Sequence, residues 1–241
     1  LAMAFASYLL AGDDTKGESS PSVSNARAML RNWEHPDLHF SYPTIKLPSM
    51  SSEHQPVSTD FAKEWHGLIM QGTYFTMNQW MSQMGATTQQ AIITGAESDE
   101  LSRVLALKSS QGGYKVSIIW LPERMNLTSA NKLLKLLEEP PQGTVFLMVC
   151  EEPEKLLETI VSRIDVKRIE DKAIENALID KRGIDADAAH RIARIANGSW
   201  LKALESLDAG NENREFHNMF QMLMRLCYLR NVKDLKRWSE I

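Results

Sequence analysis

The sequence predicts an α/β domain built on a parallel sheet, followed by a purely helical stretch. Three observations carry this. Two segments, Lys115-Val-Ser-Ile-Ile-Trp120 and Val145-Phe-Leu-Met-Val-Cys150, have the length and pattern of strands, and the second is apolar on both faces. A strand covered by helices on both sides requires that pattern. Between them, Ala130, Leu133, Leu134 and Leu137 recur at the i, i+3, i+4, i+7 spacing of an amphipathic helix, which Pro140 and Pro141 stop. Beyond residue 170 the apolar spacing is helical throughout.

Taken in order, residues 1–10 read as a buried helix, and the polar, Pro/Gly-bearing residues 11–26 read as a loop. Residues 27–33 suit a short helix. The stretch from His35 to Pro43 is extended, because each proline disfavours helix in the residue before it. Residues 57–90, rich in Trp, Met and Gln, hold one or two helices, and 97–108 hold another. Asn126 or Thr128 can cap the central helix. Its wet face carries Lys132, Lys135, Glu138 and Glu139.

After the second strand, Pro153 suits the first turn of a helix whose buried stripe is expected to be Leu156, Leu157, Ile160 and Val161. Residues 165–169 read as one more strand. Alternating strands and helices imply right-handed crossovers. Helices are then expected over 171–181, 186–196 and 200–207, a linker over 208–213, and one or two more helices over 214–241.

The chain has 241 residues, of which 43% are hydrophobic, enough to bury a real core. Its net charge of −4 argues against a free-standing nucleic-acid binder, so any DNA contact is local or shared. The two cysteines, Cys150 and Cys227, lie far apart in sequence and read as buried free thiols of a reducing, cytoplasmic compartment. The opening apolar stretch has no basic residue before it and is too short to span a bilayer, so no membrane association is expected. Leu1 is not an initiator methionine, and an abrupt apolar start reads as the middle of a domain.

The ordered set formed by strand 115–120, the segment Asn131-Lys-Leu-Leu-Lys-Leu-Leu-Glu-Glu-Pro-Pro141 and Thr159-Ile-Val-Ser-Arg163 resembles the AAA+ clamp-loader subunits of bacterial DNA polymerase III. His35-Pro-Asp-Leu-His39 and Ala196-Asn-Gly-Ser-Trp-Leu-Lys-Ala-Leu204 add to the likeness. The resemblance implies an AAA+ α/β domain over 1–168 that lacks its N-terminal P-loop segment. It further implies a helical lid over 169–209 and the start of a helical collar over 210–241.

The departures from that pattern separate two kinds of subunit. No glycine-rich loop with Lys-Ser/Thr is present to cradle phosphates. The positions matching the acidic pair that holds magnesium in a working ATPase read Trp120 and Leu121. Glu123 is the nearest carboxylate, but it lies beyond Pro122. The resemblance therefore implies a non-hydrolysing, delta-prime type stator, which supports ATP-driven loading of a sliding clamp on primed DNA. Its implied partners are gamma/tau and delta type subunits, with the sliding clamp and primed DNA reached through the assembly. The alternative is a gamma/tau-like ATPase with its P-loop upstream of Leu1.

The same resemblance implies that Arg163 acts as an arginine finger in a neighbouring subunit's ATP site, with Ser162 supporting the motif. The third motif position is Ile164 rather than the family's cysteine. A helix-end arginine is otherwise an ordinary surface charge, favoured by the helix dipole. No cofactor or metal is expected. The region matching the relatives' zinc module, about 11–24, contains no cysteine, and Pro36 opposes a zinc-binding helix through His35 and His39. Lys132 and Lys135 read as a solvated face rather than a phosphate contact. The methionine-rich segments read as core or subunit contacts.

Overall fold

The computed structural model of the protein describes residues 1–12, 21–86, 89–111 and 113–228. They fall into two compact units that divide between Val166 and Lys167.

The first unit is built on three parallel strands, β1 (Leu38–Ser41), β2 (Lys115–Trp120) and β3 (Thr144–Val149), in the order β1-β2-β3. Leu38 pairs with Val116 and Trp120 with Val149, so the strands run out together at their carboxyl ends. The period-two alternation of β2 divides its side chains between two faces. On one face Val116 and Ile118 pack with Ala6, Ala11, Ala26 and Leu30, from helices α1 (Ala2–Ala11) and α2 (Pro21–Arg31). On the other face Ile119 packs with Leu101, Leu105 and Leu133. These come from α5 (Gly95–Leu105) and α6 (Leu127–Glu138). β2 is buried at every position, Lys115 and Ser117 included. β3, the run expected to be covered on both faces, is only half-buried, with Val149 36% exposed, because it lies at the edge of the sheet.

Helices α3 (Ala62–Gln71) and α4 (Met77–Gln83) close the carboxyl end of the sheet. Thr76 and Gln79 form a reciprocal cap at the start of α4, which explains its sharp onset. Asn126 caps α6 by accepting the Ser129 N–H, as expected from sequence. The α5–α6 crossing is close at Gly95, where a Cβ would lie 2.9 Å from Thr128 Cγ2. Inside this unit the Glu97 carboxylate accepts the Ser58 backbone N–H at 2.6 Å, and burial pushes its pKa up.

After β3 comes the one-turn helix α7 (Glu158–Val161). It departs from the expected four-residue buried stripe. Ile160 is buried, whereas Leu157 and Val161 are 37% and 36% exposed. A single turn cannot carry a stripe, and Leu156 and Leu157 precede it. The strand expected over 165–169 does not form. An extended segment needs a neighbouring strand for its backbone groups, and neither sheet edge pairs with this one.

The second unit holds α8 (Asp171–Arg182), α9 (Ala186–Ala196) and α10 (Trp200–Tyr228). Ile174, Leu178, Ala189, Ala193, Ala196 and Ala203 form its core. The linker expected over 208–213 is instead continuous helix, since α10 runs through it. Much of the loop expected over 11–26 lies outside the described residues, but 21–26 belong to α2. The side chain of Cys227 also lies outside them.

Candidate functional site

Because β2 and β3 end in register, the residues that follow each strand meet at one edge of the sheet. In open α/β sheets that edge is where ligands bind. Here an aromatic cluster fills it. Trp120 is 8% exposed and lies against Trp65 and Phe75, with ring centroids 5.4 and 5.0 Å away. Tyr42 stacks on the far side of the cluster, 4.0 Å from Trp65, and Trp80 meets Trp65 edge-on at 5.3 Å. Leu121 is buried with φ 55, a left-handed conformation rare for a side chain of this size. Neither Trp120 nor Leu121 can ligate magnesium or polarise water.

The left-handed step at Leu121 turns the chain into the short helical turn Pro122–Arg124 and aims Glu123 at the end of β3. Glu123 Oε1 accepts the backbone N–H groups of Glu151 and Glu152 at 2.9 and 3.2 Å. Cys150 lies beside the same carboxylate. Burial, and then Glu123, push its thiol up to about 12. Glu123 therefore ties the ends of β2 and β3 together, which is a different task from the ligation that the matching acidic pair performs in an ATPase.

Arg163 sits just past α7, and Ile160, 1% exposed, pins that turn. Its Nη2 donates to Glu138 Oε1 at 2.5 Å, and its Nη1 donates to the Thr159 carbonyl at 2.8 Å and to Ser162 Oγ at 3.4 Å. Ser162 Oγ in turn donates to the Thr159 carbonyl at 3.1 Å. The structure thus brings Ser162 and Arg163 together and adds Glu138 from the carboxyl end of α6. The arginine side chain is 36% exposed and Glu138 49%. The guanidinium is thus held by intrachain acceptors while part of it faces solvent.

The remaining candidates fall away from this edge. Lys132 pairs with Asp99 at 2.5 Å and donates to the Gly95 carbonyl at 3.3 Å, so it staples α6 to α5. Lys135 is exposed. His35 is buried, and its Nδ1 accepts the Asp37 N–H at 3.1 Å, within a turn that is itself held by Asp37. Burial lowers the pKa of both His35 and His39.

The family model described as DNA polymerase III, delta subunit, matches residues 1–173. The chain belongs to this clamp-loader family. Among curated relatives, DNA polymerase III subunit delta' of Bacillus subtilis is 33% identical over 105 residues, 42% of this chain and 30% of that protein. DNA polymerase III subunit tau of the same organism is 37% identical over 103 residues, 39% of this chain and 18% of that protein. The delta' subunit of Yersinia pestis is 53% identical over 57 residues, 23% of this chain and 16% of that protein. The matched stretches thus span less than a third of these relatives. A gamma subunit-related protein of Thermotoga maritima is similar in structure at 17% identity and a TM-score of 0.34, over 86% of this chain and 62% of that one. Among the described residues, no helix of this family member is long and apolar enough to cross a membrane.

Three site features escape sequence reasoning. Glu138 and Arg163 are 25 residues apart, one at the end of α6 and the other just past α7, so no local spacing signals their pairing. The role of Glu123 depends on the left-handed turn at Leu121, which the sequence Trp-Leu-Pro does not announce. The abundance of aromatic residues in 57–90 was legible, but their convergence on Trp120 was not.

Proposed function

We propose that this chain is a delta-prime type stator of the DNA polymerase III clamp loader, which hydrolyses nothing itself and presents Arg163 to the ATP site of a neighbouring subunit. The observation that carries this reading is the carboxyl end of β2, where Trp120 and Leu121 stand buried in an aromatic and apolar cluster. A phosphoryl-transfer site needs carboxylates there to hold magnesium and order water. Glu123, the nearest acid, is turned toward the end of β3, its Oε1 accepting the backbone N–H groups of 151–152 and its Oε2 buried. Arg163 supplies the complementary part. A guanidinium inserted across a subunit boundary stabilises charge on the transferred phosphoryl group, and its planar fork suits phosphate oxygens.

In this reading residues 1–168 are the AAA+ domain, 169–209 the lid and 210–241 the start of the collar. Partners are gamma/tau and delta type subunits, with the sliding clamp and primed DNA reached through the assembly, in the cytoplasm. The experiment is single-turnover ATP hydrolysis in a reconstituted loader whose only competent site is the neighbour's. Arg163→Ala should lower the rate by up to about 10³-fold, and Arg163→Lys should restore little. An unchanged rate with assembly intact ends this reading of Arg163.

The likeness to tau subunits favours a second reading, a gamma/tau-like ATPase with its phosphate loop upstream of Leu1. Phosphate release by the purified full-length protein separates the two. Turnover above about 1 s⁻¹ selects the ATPase.

A further inference from the structure

Arg163 does not stand free in solvent. It is gripped by Glu138 at the end of α6, and that grip has a direction. We infer that Glu138 is a positioning residue for Arg163, fixing the plane of the guanidinium so that its unused donors point out of the subunit. This rests on the reading of Arg163 as a residue that acts in trans.

The argument begins with the donor inventory. A guanidinium has five N–H donors in one rigid plane. Three intrachain acceptors engage it here, Glu138 Oε1, the Thr159 carbonyl and Ser162 Oγ, so two N–H groups remain for an outside oxygen. The acceptors come from two elements. Thr159 and Ser162 belong to the turn that carries the arginine, so by themselves they restrain it only locally. Glu138 belongs to the end of α6. That helix is fixed by Leu133 in the core and by the Lys132–Asp99 pair on its outer face. Without Glu138 the guanidinium is free to pivot about its long side chain.

Two points of contact on separate elements define the plane of a fork, and a phosphoryl group is recognised through that plane. The chemistry also sets the sign. A carboxylate beside the arginine partly offsets its charge, so a mere mask would slow the neighbour's site, and removing it would speed the reaction. A positioning residue behaves in the opposite way.

The test uses the full chain reconstituted with its partner subunits, with only the neighbouring site competent, under single-turnover conditions. Glu138→Ala should slow hydrolysis by up to about 100-fold, the scale of an ångström's misplacement of a catalytic group. It should leave the ATP concentration for half-maximal rate unchanged. Glu138→Gln, whose amide oxygen still accepts from Nη2, should recover most of the rate. In an Arg163→Ala background, Glu138→Ala should add nothing, because the two act as one unit. A faster Glu138→Ala enzyme would mean a mask and overturn the inference. So would an equal loss in Glu138→Gln and Glu138→Ala, or an additive double variant. If Arg163→Ala itself is silent, the in-trans reading and this inference both fall. If Arg163→Ala is slow and Glu138→Ala is not, this inference alone falls.

Discussion

Trp120 ends the central strand against Trp65, their ring centroids 5.4 Å apart and their planes 51° apart. Both are nearly buried, at 8% and 5% exposure. That contact occupies the sheet edge at which an open α/β fold ordinarily receives its ligand, so an aromatic core replaces a wet, charged crevice.

Trp120→Ala should therefore be a core mutation. Removing a buried indole costs about 3–5 kcal/mol, because a cavity is left among Trp65, Phe75 and their neighbours. Urea unfolding should show a lower midpoint with little change in slope. Trp120→Asp should fare worse, since it also buries a charge. A midpoint within error of the parent protein would mean that the cluster is loosely packed.

Cys150 should be a slow thiol. Its pKa is pushed up to about 12, first by burial and then by the Glu123 carboxylate, so little thiolate exists near neutrality. In a Cys227→Ser background, alkylation at pH 8 should run on the order of 10- to 100-fold slower than for a free cysteine. Glu123→Gln should raise that rate. Labelling as fast as a model thiol would contradict the placement of Cys150.

Glu97 should make stability depend on pH. Burial raises the pKa of its carboxyl above the ordinary value of 4.5. The folded state therefore holds its proton more tightly than the unfolded chain. This contribution is fully present below about pH 4.5 and is lost as pH rises through the folded pKa. Glu97→Gln keeps an acceptor for the Ser58 N–H without a charge to desolvate. The variant should gain stability relative to the parent as pH increases from 4 to 8, as read from urea midpoints. A parallel pair of pH curves would remove Glu97 from this role.

Gly198 should tolerate no side chain. It has φ +83, and a Cβ there would lie 2.9 Å from the Ile169 carbonyl oxygen. Gly198→Ala thus combines left-handed strain with a backbone clash. It should cost about 1–3 kcal/mol. Hydrogen exchange should show the loss in α8 and α9. Unchanged protection there would show that the turn relaxes freely.

Some elements were legible because their determinants are local. The strand-length pattern of β2, the Asn126 cap and the proline stop of α6 each act within a few residues, and each forms where the sequence places it. Other expectations failed where the determinant was a partner. Residues 165–169 have strand-like composition, but a strand exists only if another edge receives its hydrogen bonds. Residues 208–213 have linker-like composition, yet α10 carries them as a continuous helix. The four-residue stripe over 156–161 shrank to Ile160, because one turn presents one inward position.

The sequence by itself determined the alternation of strands and helices, the absence of a carboxylate at the end of β2, and the presence of an arginine just beyond α7. Those are properties of residue type and order. Only the tertiary structure decided that Trp120 meets Trp65, that Glu123 grips the backbone of 151–152, and that Glu138 holds Arg163. Each of these joins residues from separate elements. Their distance depends on how helices pack on the sheet, and side-chain spacing along the chain carries no record of that.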